Sequence, residues 1–268
     1  MKKYQSWGKA SRMKKIFASD NKTVMLAFDH GYFLGPISGM ENPTKVIPPL
    51  IPYVDALMMS PGILTSCIEP EVDKAIVLRA SGGNSVATEE LSNEDLILEA
   101  EEAVKLNASA MALSFYIGTP HEKQTLMALA KAINTASKLE LPVLAVTAVG
   151  RELEKRDARF LSLASRIAVE FGADIVKTYY CENFERVINA CQVPVVVAGG
   201  PKLDSEKDVM DLVYNSMKCG AAGVDLGRNV WQNAEPEIIV QGIKGIVHDN
   251  LTSDQAIALM RDLRAHKK

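Results

Sequence analysis

The sequence predicts a single-domain (β/α)8 TIM barrel with a short N-terminal arm, and three observations carry that prediction. Eight short apolar runs recur along the 268 residues, segments with helical periodicity separate them, and no linker or low-complexity stretch interrupts the series. The runs are TVMLAFDHG (23–31), VDALMMSPG (54–62), KAIVLRASG (74–82) and ASAMALSFYIG (108–118), then LPVLAVTAVG (141–150), ADIVKTYY (173–180), VPVVVAGG (193–200) and AAGVDLGRN (221–229). Near-continuous apolar stretches of strand length are what parallel strands covered on both faces require. Successive runs lie about 29 residues apart, the length of a βαβ unit. Eight such units in a chain of this size close into a barrel. The competing doubly wound sheet lacks its expected G-x-G-x-x-G after the first run, and there is no P-loop.

Taken in order, residues 1–22 form a basic arm carrying Lys2, Lys3, Lys9, Arg12, Lys14 and Lys15. The arm has no apolar core of the kind a secretory signal needs. It reads as an amphipathic segment packed on the barrel or on another subunit. Residues 23–268 form the barrel. Between its strands, 92–106 (SNEDLILEAEEAVKL) predicts a helix capped by Ser92, with acids in its first turn. Residues 121–139, 159–171 and 204–218 repeat apolar positions at helical spacing.

Composition narrows the function. The 30 basic and 33 acidic residues leave a net charge of −3. That argues against a general nucleic-acid binder, which needs a basic surface to neutralise phosphates. No run reaches the roughly 18 apolar residues of a membrane span. The four cysteines, Cys67, Cys181, Cys191 and Cys219, form no C-x-x-C pair and fit a cytoplasmic protein. The histidines His30, His121, His248 and His266 are dispersed, and no metal is implied.

Active sites of such barrels lie at the C-terminal ends of the strands. Lys177 sits there inside an apolar run, and a lysine is rarely buried without a partner or a task. Burial favours the neutral amine, a nucleophile for carbonyl carbon. The resulting iminium is an electron sink for breaking an adjacent C–C bond. The alternative is a salt-bridged structural lysine. Asp29 ends the first run on the same face as Ala27 and suits general-base work, or holds Lys177 as its charge partner. Tyr179, two residues after Lys177, shares its inward face. Gly199 and Gly200 follow the seventh run and Gly227 and Arg228 the eighth, the two loops that bind phosphate in this fold. There glycine lets backbone N–H groups approach an anion and arginine adds charge. His30, Arg79, Ser81 and Gly82 are further strand-end candidates for substrate binding.

The runs AFDHG (27–31), DIVKT (174–178), VVVAGGPK (195–202) and AAGVDLGRN (221–229) resemble the class I aldolase family of archaeal fructose-bisphosphate aldolases and aminodideoxyheptulosonate synthases. The likeness runs from about Arg12 to the C-terminal segment. It implies that Lys177 forms a Schiff base, that Asp29 is a catalytic or substrate-positioning acid, and that Gly199, Gly200, Gly227 and Arg228 hold a phosphate. The family carries a tyrosine near the end of the fifth strand as proton donor or acceptor, where this sequence has Thr147. A threonine hydroxyl is a poor acid, so Tyr179 is expected to take over proton handling.

AFDHGYFLGP (27–36), VLRASGGNS (77–85), AVTAVG (145–150) and KTYY (177–180) are similar to a thiolase branch that shares this change. That branch degrades the phosphorylated autoinducer-2 signal. The resemblance implies transfer of acetyl from a phosphorylated hydroxypentanedione to coenzyme A, with release of dihydroxyacetone phosphate. It also implies a homo-oligomeric ring, commonly of ten subunits, with the arm and the segment 251–268 as candidate contacts. A class I aldolase or transaldolase acting on a ketose phosphate such as fructose 1,6-bisphosphate is the alternative. A non-catalytic sugar-phosphate-binding barrel is a third reading.

Overall fold

A computed structural model describes residues 6–148 and 156–266. Lys2 and Lys3 of the arm, and Val149 and Gly150 at the end of the fifth run, lie outside the described residues. Each of the eight runs contains a strand. These are β1 (Thr23–Phe28), β2 (Ala56–Met59), β3 (Ala75–Arg79), β4 (Ala110–Tyr116), β5 (Val143–Ala148), β6 (Ile175–Tyr179), β7 (Val195–Ala198) and β8 (Gly223–Leu226). Each pairs in parallel with the next, and β1 pairs with β8 to close the barrel. Closure leaves no strand edge to protect.

The two-residue period of the strands sorts their side chains into two apolar regions. Met25, Met58, Val77, Ala112, Leu144, Ile175 and Val196 fill the lumen. Leu26, Phe28, Leu57, Leu78, Phe115 and Val197 point the other way, against the surrounding helices. The N-terminal end of the lumen is stoppered by Met13, Ile16 and Phe17, from and just after α1 (Trp7–Ile16). Lys9 of α1 reaches Asp174, 2.9 Å away, and Asp174 also accepts the Val143 amide. The described part of the basic arm therefore packs on this chain's own barrel floor. With the floor filled, a ligand can enter only at the opposite mouth, where the strands end.

The helices that flank the site begin and end where their caps dictate. α2 (Glu122–Lys138) follows the fourth run. α3 (Ala158–Phe171) starts at Asp157, whose carboxylate accepts the Phe160 amide, and stops at Gly172 with φ 101°. α4 (Glu206–Lys218) starts with a reciprocal Ser205–Asp208 capping box. α5 (Pro236–Asp249) and α6 (Ser253–His266) close the chain. Among the described residues, no helix is long and apolar enough to cross a membrane.

The helix expected over 92–106 is a correction. Only Ala100–Lys105 is helical, and Ser92 is buried rather than capping. Upstream of Ala100 the chain is extended, and Asp95–Leu96 forms a small antiparallel ladder with Ser81–Gly82. The reason is Glu94, whose carboxylate is drawn into the barrel mouth by Arg79 and Ser81. Satisfying a buried charge outweighs the modest helix propensity of this acidic stretch.

Beneath the barrel, His248 of α5 bridges two carboxylates, with Nδ1 2.9 Å from Asp20 and Nε2 2.9 Å from Asp55. Asp55 also accepts the Val24 amide, so the bridge ties α5 to the start of β1. The Asp55 bond raises the His248 pKa; burial opposes this, and the Asp20 bond adds to the rise. Burial pushes Asp20 up, but the bonds from His248 and the Lys22 amide outweigh it and hold its carboxyl below the ordinary value. A group whose pKa rises on folding stabilises fully below its unfolded value, near 6.5 for histidine, and loses that stabilisation as pH rises through the folded value. The Asp20 contribution is instead lost as pH falls through its lowered folded-state value. His248→Ala is thus expected to cost about 1–3 kcal/mol near pH 5.5. The deficit should shrink in alkaline buffer when unfolding is followed by denaturant titration; a deficit independent of pH would contradict the bridge's charged character.

Candidate active site

A cavity of about 280 Å3 opens at the C-terminal mouth of the barrel. Strand parity decides which side chains reach it. Lys177 lies opposite Val196 of β7 and Val146 of β5, both on the lumen side, and it lines the cavity while only 6% exposed. Its Nζ is 2.8 Å from Asp225 Oδ2, and Met58 Sδ lies 3.5 Å away. Asp225 is the charge partner of Lys177; Asp29 is not. Burial raises the Asp225 pKa, the nearby Lys177 opposes that rise, and Asp29 adds to it. Neither Asp225 oxygen accepts an aligned hydrogen bond among the described residues. This carboxylate is therefore a ready proton acceptor beside the amine.

Asp29 follows the end of β1, further toward the mouth. Its Oδ2 takes a 3.1 Å contact from Arg79 Nη1, and its Oδ1 lies 3.4 Å from His30 Nδ1. Burial pushes this carboxyl up, but His30, Arg79 and Lys177 outweigh burial and hold it below the ordinary carboxylate value. Asp29 and Asp225 are thus driven in opposite directions by their neighbours, the pattern that separates a charged carboxylate from a protonatable one. His30 lines the cavity against Trp231 and Phe33. Burial lowers its pKa to about 4 despite Asp29, with Lys177, Arg228 and Arg79 contributing, so its ring is neutral at neutral pH.

The residues after β3 build something other than a phosphate cradle. Arg79 Nη2 binds both oxygens of Glu94, at 3.1 and 2.9 Å, and Arg79 Nη1 reaches Asp29. Ser81 Oγ donates to Glu94 and accepts the Ser114 amide, so its hydroxyl is occupied. Tyr32 and Tyr116 both donate to Glu94 Oε1. Burial opposes the Arg79 charge, but Glu94, Tyr32 and Asp29 outweigh it and keep the guanidinium charged. Ser81 and Gly82 do not reach the cavity. They anchor the ladder that carries Glu94.

Thr147 also borders the cavity, but its hydroxyl is directed to the neighbouring strand and not to Lys177. It pairs with Phe115, on the helix-facing side of the sheet, and its hydroxyl bonds Thr178 on β6 at 2.8 Å. The lumen-facing positions at the end of β5 are Val146 and Ala148, and neither can move a proton. Tyr179 does line the cavity, opposite Ala198.

The glycine loops converge at the remaining corner. Gly200 has φ 67°, a conformation that favours glycine. At Gly227 a Cβ would lie 2.8 Å from the Ala27 carbonyl oxygen and 2.8 Å from His30 Cε1, so no larger residue fits there. Asn229 stitches the two loops together, donating to the Gly199 and Pro201 carbonyls and accepting the Leu203 amide. Arg228 points into this corner with its Nε buried and without a hydrogen-bond partner among the described residues. A cation above glycine-rich backbone is a site for an anion. Cys181 does not line the cavity, and burial followed by Asp157 pushes its thiol up to about 11, so it is a weak nucleophile. No three His, Cys, Asp or Glu side chains among the described residues are placed to hold a metal ion.

This geometry agrees with what the chain resembles. Residues 23–233 match the model of the DeoC/LacD family aldolases. The chain belongs to the DeoC/LacD aldolase family. It is an enzyme of that family built on the Schiff-base aldolase barrel. The 3-hydroxy-5-phosphonooxypentane-2,4-dione thiolase of Salmonella paratyphi A is 45% identical over 255 residues, covering 94% of this chain and 87% of the relative. That of Escherichia coli K12 is 44% identical over the same shares. An archaeal fructose-1,6-bisphosphate aldolase superposes with a TM-score of 0.81 at 28% identity, covering 90% of this chain and 99% of that one. Another structure of an archaeal aldolase, its catalytic lysine covalently bound to the carbinolamine intermediate, gives 0.81 at 27%, with 89% and 99% covered.

Two residues that line this cavity, Glu94 and Arg156, escaped the sequence reading, whereas Tyr116 was visible as a polar residue at a strand end. Glu94 lay in a segment read as a helix, and Arg156 was hidden in the charged run 151–159. The buried Arg79–Glu94 pair makes a direct test. Glu94→Gln strands a buried guanidinium and is expected to cost about 3–5 kcal/mol, as is Arg79→Met. The double variant should cost clearly less than the sum, read from urea unfolding midpoints. Strict additivity would show that the two side chains are not a unit.

Proposed function

We propose that this enzyme transfers the acetyl group of 3-hydroxy-5-phosphonooxypentane-2,4-dione to coenzyme A and releases dihydroxyacetone phosphate. The observation that carries the reading is a buried amine, 2.8 Å from a protonatable carboxylate, in a cavity whose far corner is cationic and glycine-lined. The Salmonella paratyphi A and Escherichia coli K12 relatives, at 45% and 44% identity, bear the name of that activity.

The steps follow from the residues. Asp225 takes a proton from Lys177, and the free amine attacks the C4 ketone, losing water to give an iminium. The coenzyme A thiolate adds to C2. The C2–C3 bond then breaks, acetyl departs on sulfur, and the bonding pair flows into the iminium to leave an enamine on C3 and C4. A proton returns to C3 and water releases the ketone phosphate, freeing Lys177. Asp29 positions or deprotonates the C3 hydroxyl, and Tyr179 handles the C3 proton. Arg228 with Gly199, Gly200 and Gly227 holds the phosphate. The cavity wall of Phe33, Leu34, Val86 and Leu91 offers an apolar approach for the thiol's arm.

A second reading, a class I aldolase on a ketose phosphate, is supported by the archaeal structures. Against it stands the end of β5, where Val146 and Ala148 face the lumen. Small phosphorylated substrates, cytoplasmic placement and a homo-oligomeric ring belong to the same proposal and rest on family resemblance.

Incubating the enzyme with the phosphorylated dione, with and without coenzyme A, separates the readings by mass spectrometry. Acetyl-CoA and dihydroxyacetone phosphate formed only with the thiol support the transfer; carbon–carbon cleavage indifferent to coenzyme A contradicts it. Lys177→Ala should lower the rate at least about 1,000-fold. Tyr179→Phe should lower it while leaving Schiff-base formation intact, and full activity of that variant would remove Tyr179 from proton handling.

A further inference from the structure

A second guanidinium stands at the glycine corner. Arg156 precedes the Asp157 cap of α3 and lines the cavity. Its Cζ lies over the Tyr179 ring, 3.7 Å from the centroid, a cation–π contact. Its Nη1 sits 3.2 Å from where a Cβ on Gly200 would be, so a side chain at that position would crowd the guanidinium.

Arg156 and Arg228 share an unusual electrostatic position. Ion pairs at the mouth go to Arg79 and Lys177, and neither of these two arginines has a carboxylate partner among the described residues. The Nε of each is buried without a hydrogen-bond partner. Burial disfavours the Arg228 charge, Tyr179 partly offsets this, and the neighbouring Arg156 disfavours it further, so the two guanidiniums repel. Two like charges held together beside bare backbone are stable only when something anionic shares them. A monoanion would leave one charge over. A phosphate monoester, carrying about −1.5 to −2 at neutral pH, would match both. A guanidinium over a ring keeps in-plane N–H groups for such a bidentate contact.

We propose that Arg156 is the second phosphate-binding cation of this enzyme and the residue that makes the site demand a dianionic phosphate ester. Its contact with Tyr179 ties the occupied phosphate corner to a phenol that lines the same cavity as Lys177. The proposal rests on the phosphorylated-substrate reading and adds a residue to it.

Calorimetric titration with inorganic phosphate tests it without any catalytic step. Arg156→Leu should weaken binding roughly 10- to 100-fold at pH 8, and Arg156→Lys, which keeps the charge but not the fork, should fall between. Arg159→Leu, which removes an equal charge from the exposed side of α3, should bind like the parent. Parent binding should strengthen as phosphate gains its second charge near pH 6–7, and Arg156→Leu should flatten that rise. Equal affinities for Arg156→Leu and Arg159→Leu would overturn the proposal.

Borohydride trapping supplies a second readout. The ratio of dihydroxyacetone phosphate to dihydroxyacetone trapped should fall at least about tenfold in Arg156→Leu. An equal loss for both ketones would assign Arg156 a merely structural role. If neither ketone is trapped by the parent enzyme, the Schiff-base reading fails, and the phosphate titration still decides Arg156.

Discussion

The rest of the site depends on keeping one amine inside a barrel. Taking a lysine out of water costs several kcal/mol unless a partner accompanies it. Asp225, one strand-end residue of β8, is that partner, at 2.8 Å. The constraint propagates outward. With its own burial raising its pKa, Asp225 cannot also serve as the permanently charged carboxylate of the mouth. That role falls to Asp29, which stays ionised because the Arg79 guanidinium faces it with Lys177 nearby. Arg79 then needs more counter-charge than Asp29 supplies. Glu94 supplies it, and Ser81, Tyr32 and Tyr116 satisfy the remaining Glu94 lone pairs. A row of compensated charges therefore runs from the lumen to the ladder, and each member is placed by the one before.

At the opposite corner the compensation stops. Arg228 meets glycine loops, and no carboxylate among the described residues balances it. The contrast is functional. Where charges are paired, the structure is rigid and prepared for proton transfer; where a cation is left over, the site is prepared for an anion. In the proposed reaction, a ketone held by its phosphate at that corner is presented to Lys177 in the middle. The floor plug of Met13, Ile16 and Phe17 makes this arrangement one-sided, because a ligand can approach only from the mouth.

Much of this was legible in the sequence, for physical reasons that also explain the exceptions. Lys177 stood out because a charge inside a β-branched run conflicts with burial. Gly199, Gly200 and Gly227 stood out because glycine at the end of a buried strand has no packing value. The strands themselves were legible because a barrel buries both faces of each. Glu94 was not, because an acidic stretch with helical spacing looks solvated, and only the distant Arg79 explains its burial. Arg156 was concealed in the same way within a run of mixed charges. Thr147 illustrates a different failure: a shift of one residue along a strand exchanges lumen for helix layer, and only the register with Phe115 reveals which side it takes.

The central claim is that Lys177 is the residue that bonds covalently to substrate carbon. Borohydride reduction in the presence of dihydroxyacetone phosphate, followed by peptide mass mapping, tests it most directly. One stable adduct on the peptide containing Lys177, absent when that residue is alanine, is the expected result. No adduct under reducing conditions, or an adduct on a different lysine that survives in the Lys177→Ala protein, would contradict it.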